Sequence, residues 1–297
     1  MTQREITKVI TGFKQYTQDD VRQMDEVTLR GLLHERTHHN IEVPLYSILV
    51  KWPNKPIAGF GMQAQLVFDV WREKGYTEDD PDIKWCKMYL AAAAKVREGV
   101  KPDIGDPQPE PFSAEEMKVV HKLLWGRHSV RDWIKKEVPD WMINKVIEAG
   151  IAAPIGCNLD EVRFIVLKTE EEKSWCWSDI STENAVIIVI GYEKRPTAVV
   201  GQDLPQAVPQ NRGFDCAAAG DHMLLMAHAL GLGGCWLSHR GGTDTKFKEK
   251  WGLNDENIDI SLHIAIGWSA IVPVKSSRAP FDYYMIRKGD KRYNTGG

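Results

Sequence analysis

The chain has 297 residues, 43% of them hydrophobic and 27% charged, with a formal net charge of −3. That length holds two domains, or one with a large extension, and the composition is that of a soluble globular protein. The charge balance leaves no broad basic field for nucleic acid, and no apolar run reaches the length of a membrane span.

The segment Met1-Thr2-Gln3-Arg4-Glu5 leads into polar sequence without a signal-peptide core. Cys86, Cys157, Cys176, Cys216 and Cys235 are odd in number and form no C-x-x-C pair, which points to reduced thiols and a cytoplasmic setting.

Residues 1 to about 112 read as a mainly helical and irregular extension. Asp19 to Leu33 is expected to form one helix, with Val21, Met24 and Val27 on one face. The stretch from His34 to His39 holds three histidines and a glutamate. It matches no H-E-x-x-H spacing and reads as a polar surface loop. Leu45 to Trp52 is expected to be a short apolar strand or extended segment ended by Pro53, and the segments Gly59 to Gly75 and Asp82 to Glu98 to be helices. Residues 102–111 carry four prolines and acidic residues, a linker that sets the domain boundary near 112.

Residues 113–297 are more regular. Ser113-x-x-Glu116 is a capping box, and it opens a helix with Met117, Val120, His121 and Leu124 on one face. Gly126-Arg127-His128-Ser129-Val130-Arg131-Asp132 follows at its end. Guanidinium groups beside a hydroxyl suit a phosphate, although such a cluster is more often solvated surface. A helix is expected from Pro139. Arg163 to Lys168, Ala185 to Tyr192, Cys235 to Ser238 and Ile260 to Trp268 read as strands, with Ala185 to Tyr192 central in a sheet. Asp215 to Leu230 is apolar on nearly every side and must be buried against the sheet or a second subunit. Without a clean βαβ repeat, the fold class is α+β.

Four segments in this order resemble the nitroreductase family of flavin enzymes. They are Arg127-His128-Ser129-Val130-Arg131; Ala152-Ala153-Pro154-Ile155-Gly156-Cys157-Asn158; the helix from Asp215 running to Gly231-Leu232-Gly233 and Trp236; and Ile264-Ala265-Ile266-Gly267-Trp268 with Lys275 and Arg278 beyond it. The resemblance covers about residues 113–290. It implies a central, mostly antiparallel sheet flanked by helices, and a homodimer with FMN at the subunit interface. It also implies ping-pong transfer from NAD(P)H through FMN to an electron-poor small molecule such as a nitro compound, quinone or activated alkene. Carried over by position, Arg127, Lys275 and Arg278 hold the FMN phosphate, with His128 and Ser129 beside the ribityl chain. Arg131 lies at the N1–O2 edge of the ring, Pro154 and Asn158 at its polar rim, and Leu237 and Ser238 near N5. No side chain is a nucleophile in this reading.

The sequence departs from the family in three places. Ile155 follows Pro154 where serine is common, and Leu159-Asp160 follows Asn158 where a Gln-Pro-like run is usual. Between Tyr192 and Asp215 about twenty residues remain where many members carry a helical lid, and Pro205, Pro209 and Gly213 disfavour one. Residues 1–112 are therefore expected to close the flavin pocket, the alternative being a separate docking module. Other readings are a reductive dehalogenase using one-electron steps, with the Ser238 hydroxyl near N5, and a flavin-binding protein that docks a protein partner. His239 and Arg240 are further candidates near substrate. Cys157 and Cys235 fall near the flavin without an assigned redox role.

Overall fold

The computed structural model describes residues 7–174, 182–200, 207–237, 243–253, 255–288, 290 and 292. The chain starts with an antiparallel hairpin, β1 (Lys8–Thr11) and β2 (Lys14–Thr17). Helices α1 (Gln18–Gln23) and α2 (Glu26–Thr37) follow, then a π-helical turn at His38–Glu42 and α3 (Val43–Val50). Helices α4 (Met62–Glu73) and α5 (Pro81–Glu98) complete this part.

Three of the expectations above fail here, each for a local reason. The single helix from Asp19 to Leu33 is two helices. Met24 is extended (φ −64°, ψ 141°), and Asp25 restarts the helix by accepting the Thr28 N–H. The polar loop at His34–His39 is helical, and His34, Glu35, Arg36 and Thr37 are buried. Its pairs are spaced i, i+4: His39 with Glu35 and His38 with Glu42. The expected strand at 45–52 is α3, which continues helically from the π turn with Pro44 at its start.

In the second part α6 (Ala114–Gly126) begins with both bonds of the Ser113–Glu116 capping box in place, and α7 is Asp140–Ile151. After a short 3-10 turn at Gly156–Asn158 come β3 (Val162–Leu167), α8 (Glu170–Lys173), β4 (Val186–Glu193) and α9 (Arg195–Ala198). Then follow α10 (Ala207–Ala229), β5 (Gly233–Leu237), α11 (Thr243–Trp251), β6 (Ile258–Gly267) and α12 (Phe281–Tyr284). Helix α10 starts eight residues before the expected Asp215. Pro209 sits in its first turn, where proline is tolerated, so the short segment after β4 is more helical than its prolines suggest.

Strands β3, β4, β6 and β5 pair in that order, all antiparallel, so β4 and β6 are central. Ile188, Ile190, Ile264 and Ile266 face one side of the sheet and pack with Met223 and Leu224 of α10 and Val146 of α7; Ile187, Val189 and Ala265 face the other. This is the expected α+β architecture.

The N-terminal helices do not stand apart from this domain. Their core, including Leu29, Leu32, Leu33, Trp71 and Leu90, is continuous with Leu159, Val199 and Val200. Helix α2 lies so close to α9 that a Cβ on Gly31 would sit 2.5 Å from Pro196 Cα. Arg195 clamps the seam, donating to both Glu193 oxygens and lying 3.5 Å from Asp25.

Candidate functional site

Residues 127–131 form an extended segment beside β5. Val130 N–H donates to Gly234 O at 3.0 Å, and Ser129 bridges Gly234 in parallel. With Val130 buried at 2% exposure, alternation turns Ser129 and Arg131 to the other side. Glycine is needed opposite, since a Cβ at Gly233 would meet Val130 Cβ at 2.8 Å. The chain leaving β6 returns along this segment: Ile134 N–H donates to Trp268 O and Ala270 N–H to Asp132 O, both at 2.9 Å. That register brings residues 273–278 back to the end of α6.

The result is a cleft of about 400 Å³ whose walls include Arg127, His128, Ser129, Arg131, Lys275 and Arg278. Two sequence segments almost 150 residues apart thus meet at one site. None of the lining residues is acidic, and among the described residues no carboxylate pairs with Arg127, Arg131, Lys275 or Arg278. Arg131 donates to Ser129 O (3.3 Å), and the Lys275 ammonium stands 5.3 Å from the centre of the Trp125 ring. Four uncompensated cations and a hydroxyl are a donor set for a dianionic phosphate. Leu124, Trp125, Pro273, Val274 and Ser276 also line the cleft and were given no site role from sequence. Only the position of Leu124 and Trp125 on the last turn of α6, just before Arg127, could have signalled them.

Pro154, Asn158 and Leu237 are not among these lining residues. Leu237 is buried, at 2% exposure. Ser238, His239 and Arg240 lie outside the described residues. Pro154 is exposed, and Asn158 belongs to a tight turn in which Cys157, Asn158 and Asp160 all have positive φ (55°, 54° and 51°). Asparagine and aspartate tolerate that region, whereas for cysteine it costs on the order of 1 kcal/mol or more.

The extension holds this turn. His34, fully buried, contacts Asn158 O through Nδ1 (2.6 Å) and Asp82 Oδ2 through Nε2 (2.9 Å), and Arg30 also donates to Asp82 (2.9 Å). Burial pushes the Asp82 carboxyl up, but His34 and Arg30 more than offset it and hold it below the usual range. His34, Asp82 and Asp160 could gather round a metal ion. Both His34 nitrogens are already engaged with oxygens, which argues for a structural cluster. Behind the turn, Gly156 N–H donates to Asp215 Oδ1 (3.2 Å). Burial first, and the neighbouring Asp215 second, push the Glu161 carboxyl up to about 8.

The profile of the nitroreductase family matches residues 124–212 and 172–268. A protein of Archaeoglobus fulgidus described as an NADH dehydrogenase/NAD(P)H nitroreductase is 25% identical over 180 residues, covering 58% of this chain and 92% of the relative. A protein of the same description from Methanothermobacter thermautotrophicus is 29% identical over 122 residues, covering 39% of this chain and 59% of its own length. A protein from Desulfovibrio desulfuricans described as a nitroreductase, solved in complex with FMN, superposes with a TM-score of 0.50 at 25% identity. The match covers 57% of this chain and 95% of that one.

Proposed function

Because its domain at residues 124–268 belongs to the nitroreductase family, we propose that this FMN-dependent oxidoreductase passes electrons from NAD(P)H to an electron-poor small molecule, such as a nitro compound, quinone or activated alkene. The observation that carries the reading is the cleft of four cations that no carboxylate among the described residues pairs with, assembled from Arg127, Arg131, Lys275 and Arg278. Such a cluster is costly for the free protein and stabilised by a bound dianion, and FMN offers its phosphate. When bound, FMN supplies the acceptance and release of electrons.

The chain's own residues supply binding and charge. Arg127, Lys275 and Arg278 neutralise the phosphate, Ser129 donates its hydroxyl nearby, and Arg131 places a fixed cation where the reduced ring would carry negative charge. The Pro154–Asn158 turn, which is not in the wall of this cleft, would approach the ring from a second copy of the chain.

A homodimer agrees with what α6 and the tail leave exposed. Helix α6 buries no residue, and Met117, Val119, Leu124 and Trp125 are 51%, 67%, 55% and 50% exposed. Phe281, Tyr283 and Ile286 in the tail are also exposed. Apolar surface on that scale marks an interface. The extension up to residue 112, anchored on the Asn158 turn, forms part of the substrate wall in this reading. Among the described residues no helix is long and apolar enough to cross a membrane.

The test is anaerobic reduction of the FMN-loaded protein by NADH and by NADPH, followed by mixing with a nitroarene and a quinone. Bleaching followed by reoxidation over many turnovers is expected. Bound flavin that neither nicotinamide bleaches would leave a binding protein in place of an enzyme.

A further inference from the structure

The extension carries a cleft of its own, which shares no lining residue with the cationic one. It measures about 640 Å³. Small-molecule sites run to about 300–1,000 Å³. Helix α5 forms one wall, and the π-helical turn with the start of α3 another. Residues 102–106 close a third side. This stretch reads as a linker in sequence, yet Pro102 is buried and Ile104 packs on the core of the extension. Gly105 turns it there with φ 135°, a backbone angle that favours glycine.

Trp85, Tyr89 and Tyr46 line the cleft with their rings at steep angles. Trp85 and Tyr89 stand 5.2 Å apart at 69°, and Tyr89 and Tyr46 6.5 Å apart at 87°. Rings set nearly at right angles give a corner of π faces, an arrangement that holds organic cations. The hydroxyls add direction. Tyr89 donates to Glu42 Oε1 (3.2 Å), so the bond between the Tyr46 and Tyr89 hydroxyls (2.8 Å) uses the Tyr46 proton. Burial first, then Tyr46 and Glu42, push the Tyr89 hydroxyl up and keep it a donor. Glu42 Oε2 meets His38 Nδ1 at 2.7 Å. Tyr46 is 41% exposed, and with its proton committed its oxygen offers only acceptor lone pairs.

Charge completes the pattern. Glu42, Asp103 and Asp106 line the cleft against the single cation Lys95. Among the described residues Asp103, Asp106 and Lys95 have no ion-pair partner, and no side-chain cation stands over the Trp85, Tyr89 or Tyr46 ring. Acceptors, π faces and negative charge together suit a ligand that brings N–H donors and positive charge.

We propose that this cleft binds small organic ammonium ions that carry an N–H group on a compact apolar body. The ammonium lies in the aromatic corner, donates to the Tyr46 oxygen and is balanced by Glu42, Asp103 and Asp106. The apolar body covers Met88, which is 47% exposed at the cleft. The site goes beyond the flavin reading and does not depend on it.

The test uses the full-length, FMN-loaded protein and isothermal titration calorimetry with three probes of similar shape. Phenethylamine is an ammonium ion at neutral pH, 2-phenylethanol is uncharged and 3-phenylpropionate is an anion. Phenethylamine should bind about tenfold more tightly than 2-phenylethanol, and 3-phenylpropionate should not bind. Asp103 and Asp106 are exposed, so Asp103→Asn with Asp106→Asn keeps the fold. That double variant should bind phenethylamine about 2–30-fold more weakly. Glu42→Gln retains an acceptor for Tyr89 and should weaken it by about tenfold or more. Equal affinity for phenethylamine and 2-phenylethanol, or binding of 3-phenylpropionate as tight as that of phenethylamine, would overturn the ligand class. Phenethylamine affinity unchanged in both carboxylate variants would overturn the place. No binding of phenethylamine at about 1 mM would overturn the site itself.

Discussion

The segment at Arg127 and the turn at Pro154–Asn158 were both expected to touch a flavin, and they are built in opposite ways. The first gathers cations that no described carboxylate balances, in a cleft open to water. The second is locked from behind: His34 takes the Asn158 carbonyl, Asp215 takes the Gly156 N–H, and Leu159 is buried in the core of the extension. Unpaired charge marks where a ligand's charge will go. A bonded turn with three positive φ angles marks where shape is held ready by its neighbours. The first draws its energy from the ligand, the second from the extension.

The strongest way to break this contrast is to remove the extension. A chain starting near Phe112 uncovers Leu159, Val199 and Val200 and strips His34 from the turn. It should aggregate, or lose flavin and substrate selectivity, as read by size-exclusion chromatography and the flavin-to-protein absorbance ratio. A stable, flavin-loaded dimer with unchanged acceptor kinetics would show that the turn holds itself.

The open side is probed by Arg127→Ala and Arg278→Ala. Each removes a charge-assisted contact of about 1.5–3 kcal/mol, so FMN should bind about 10–150-fold more weakly in fluorescence titration. Unchanged flavin retention in both would place the phosphate elsewhere. On the closed side, Gly31→Ala pushes a Cβ to 2.5 Å from Pro196 Cα. Overpacking of that kind costs about 1–3 kcal/mol in urea denaturation, with FMN affinity expected to change less than in the arginine variants.

The contrast is sharpened further through pH. Glu161 titrates from an ordinary value of 4.5 up to about 8 in the fold. Between those values the native state holds a proton that the unfolded chain has released, so stability falls as pH rises. It is fully present below 4.5 and lost above about 8. Glu161→Gln should flatten that decline, making the variant more stable than wild type relative to their difference at pH 5. Parallel stability curves for the two proteins would show that Glu161 is not held protonated.

Much of the sheet domain was legible, because β4 and β6 are apolar runs bounded by turn residues and the Ser113–Glu116 box is a local signal. The cationic cleft was legible only through motif order, since nothing local joins Arg127 to Arg278. The extension was misread where tertiary burial overrides polarity. His34, Glu35 and Arg36 look like loop residues until their partners Asp82, Asn158 and Ile10 O are known, all distant in sequence. The i, i+4 spacing of Glu35 with His39 and of His38 with Glu42 was the helix signal available. In 45–52 a short apolar run ended by Pro53 suggested an extended segment, whereas the segment is helical and buries Leu45 in the core.

The shared core also sets an order for synthesis. Helices α1 to α5 leave the ribosome before α9, and their cluster lacks Leu159, Val199 and Val200 until the chain has grown to residue 200. At cellular elongation rates that delay is roughly 5–20 s. During that interval the face of α2 that packs on α9 has no partner. The extension is made before α9 and completes its packing only with it.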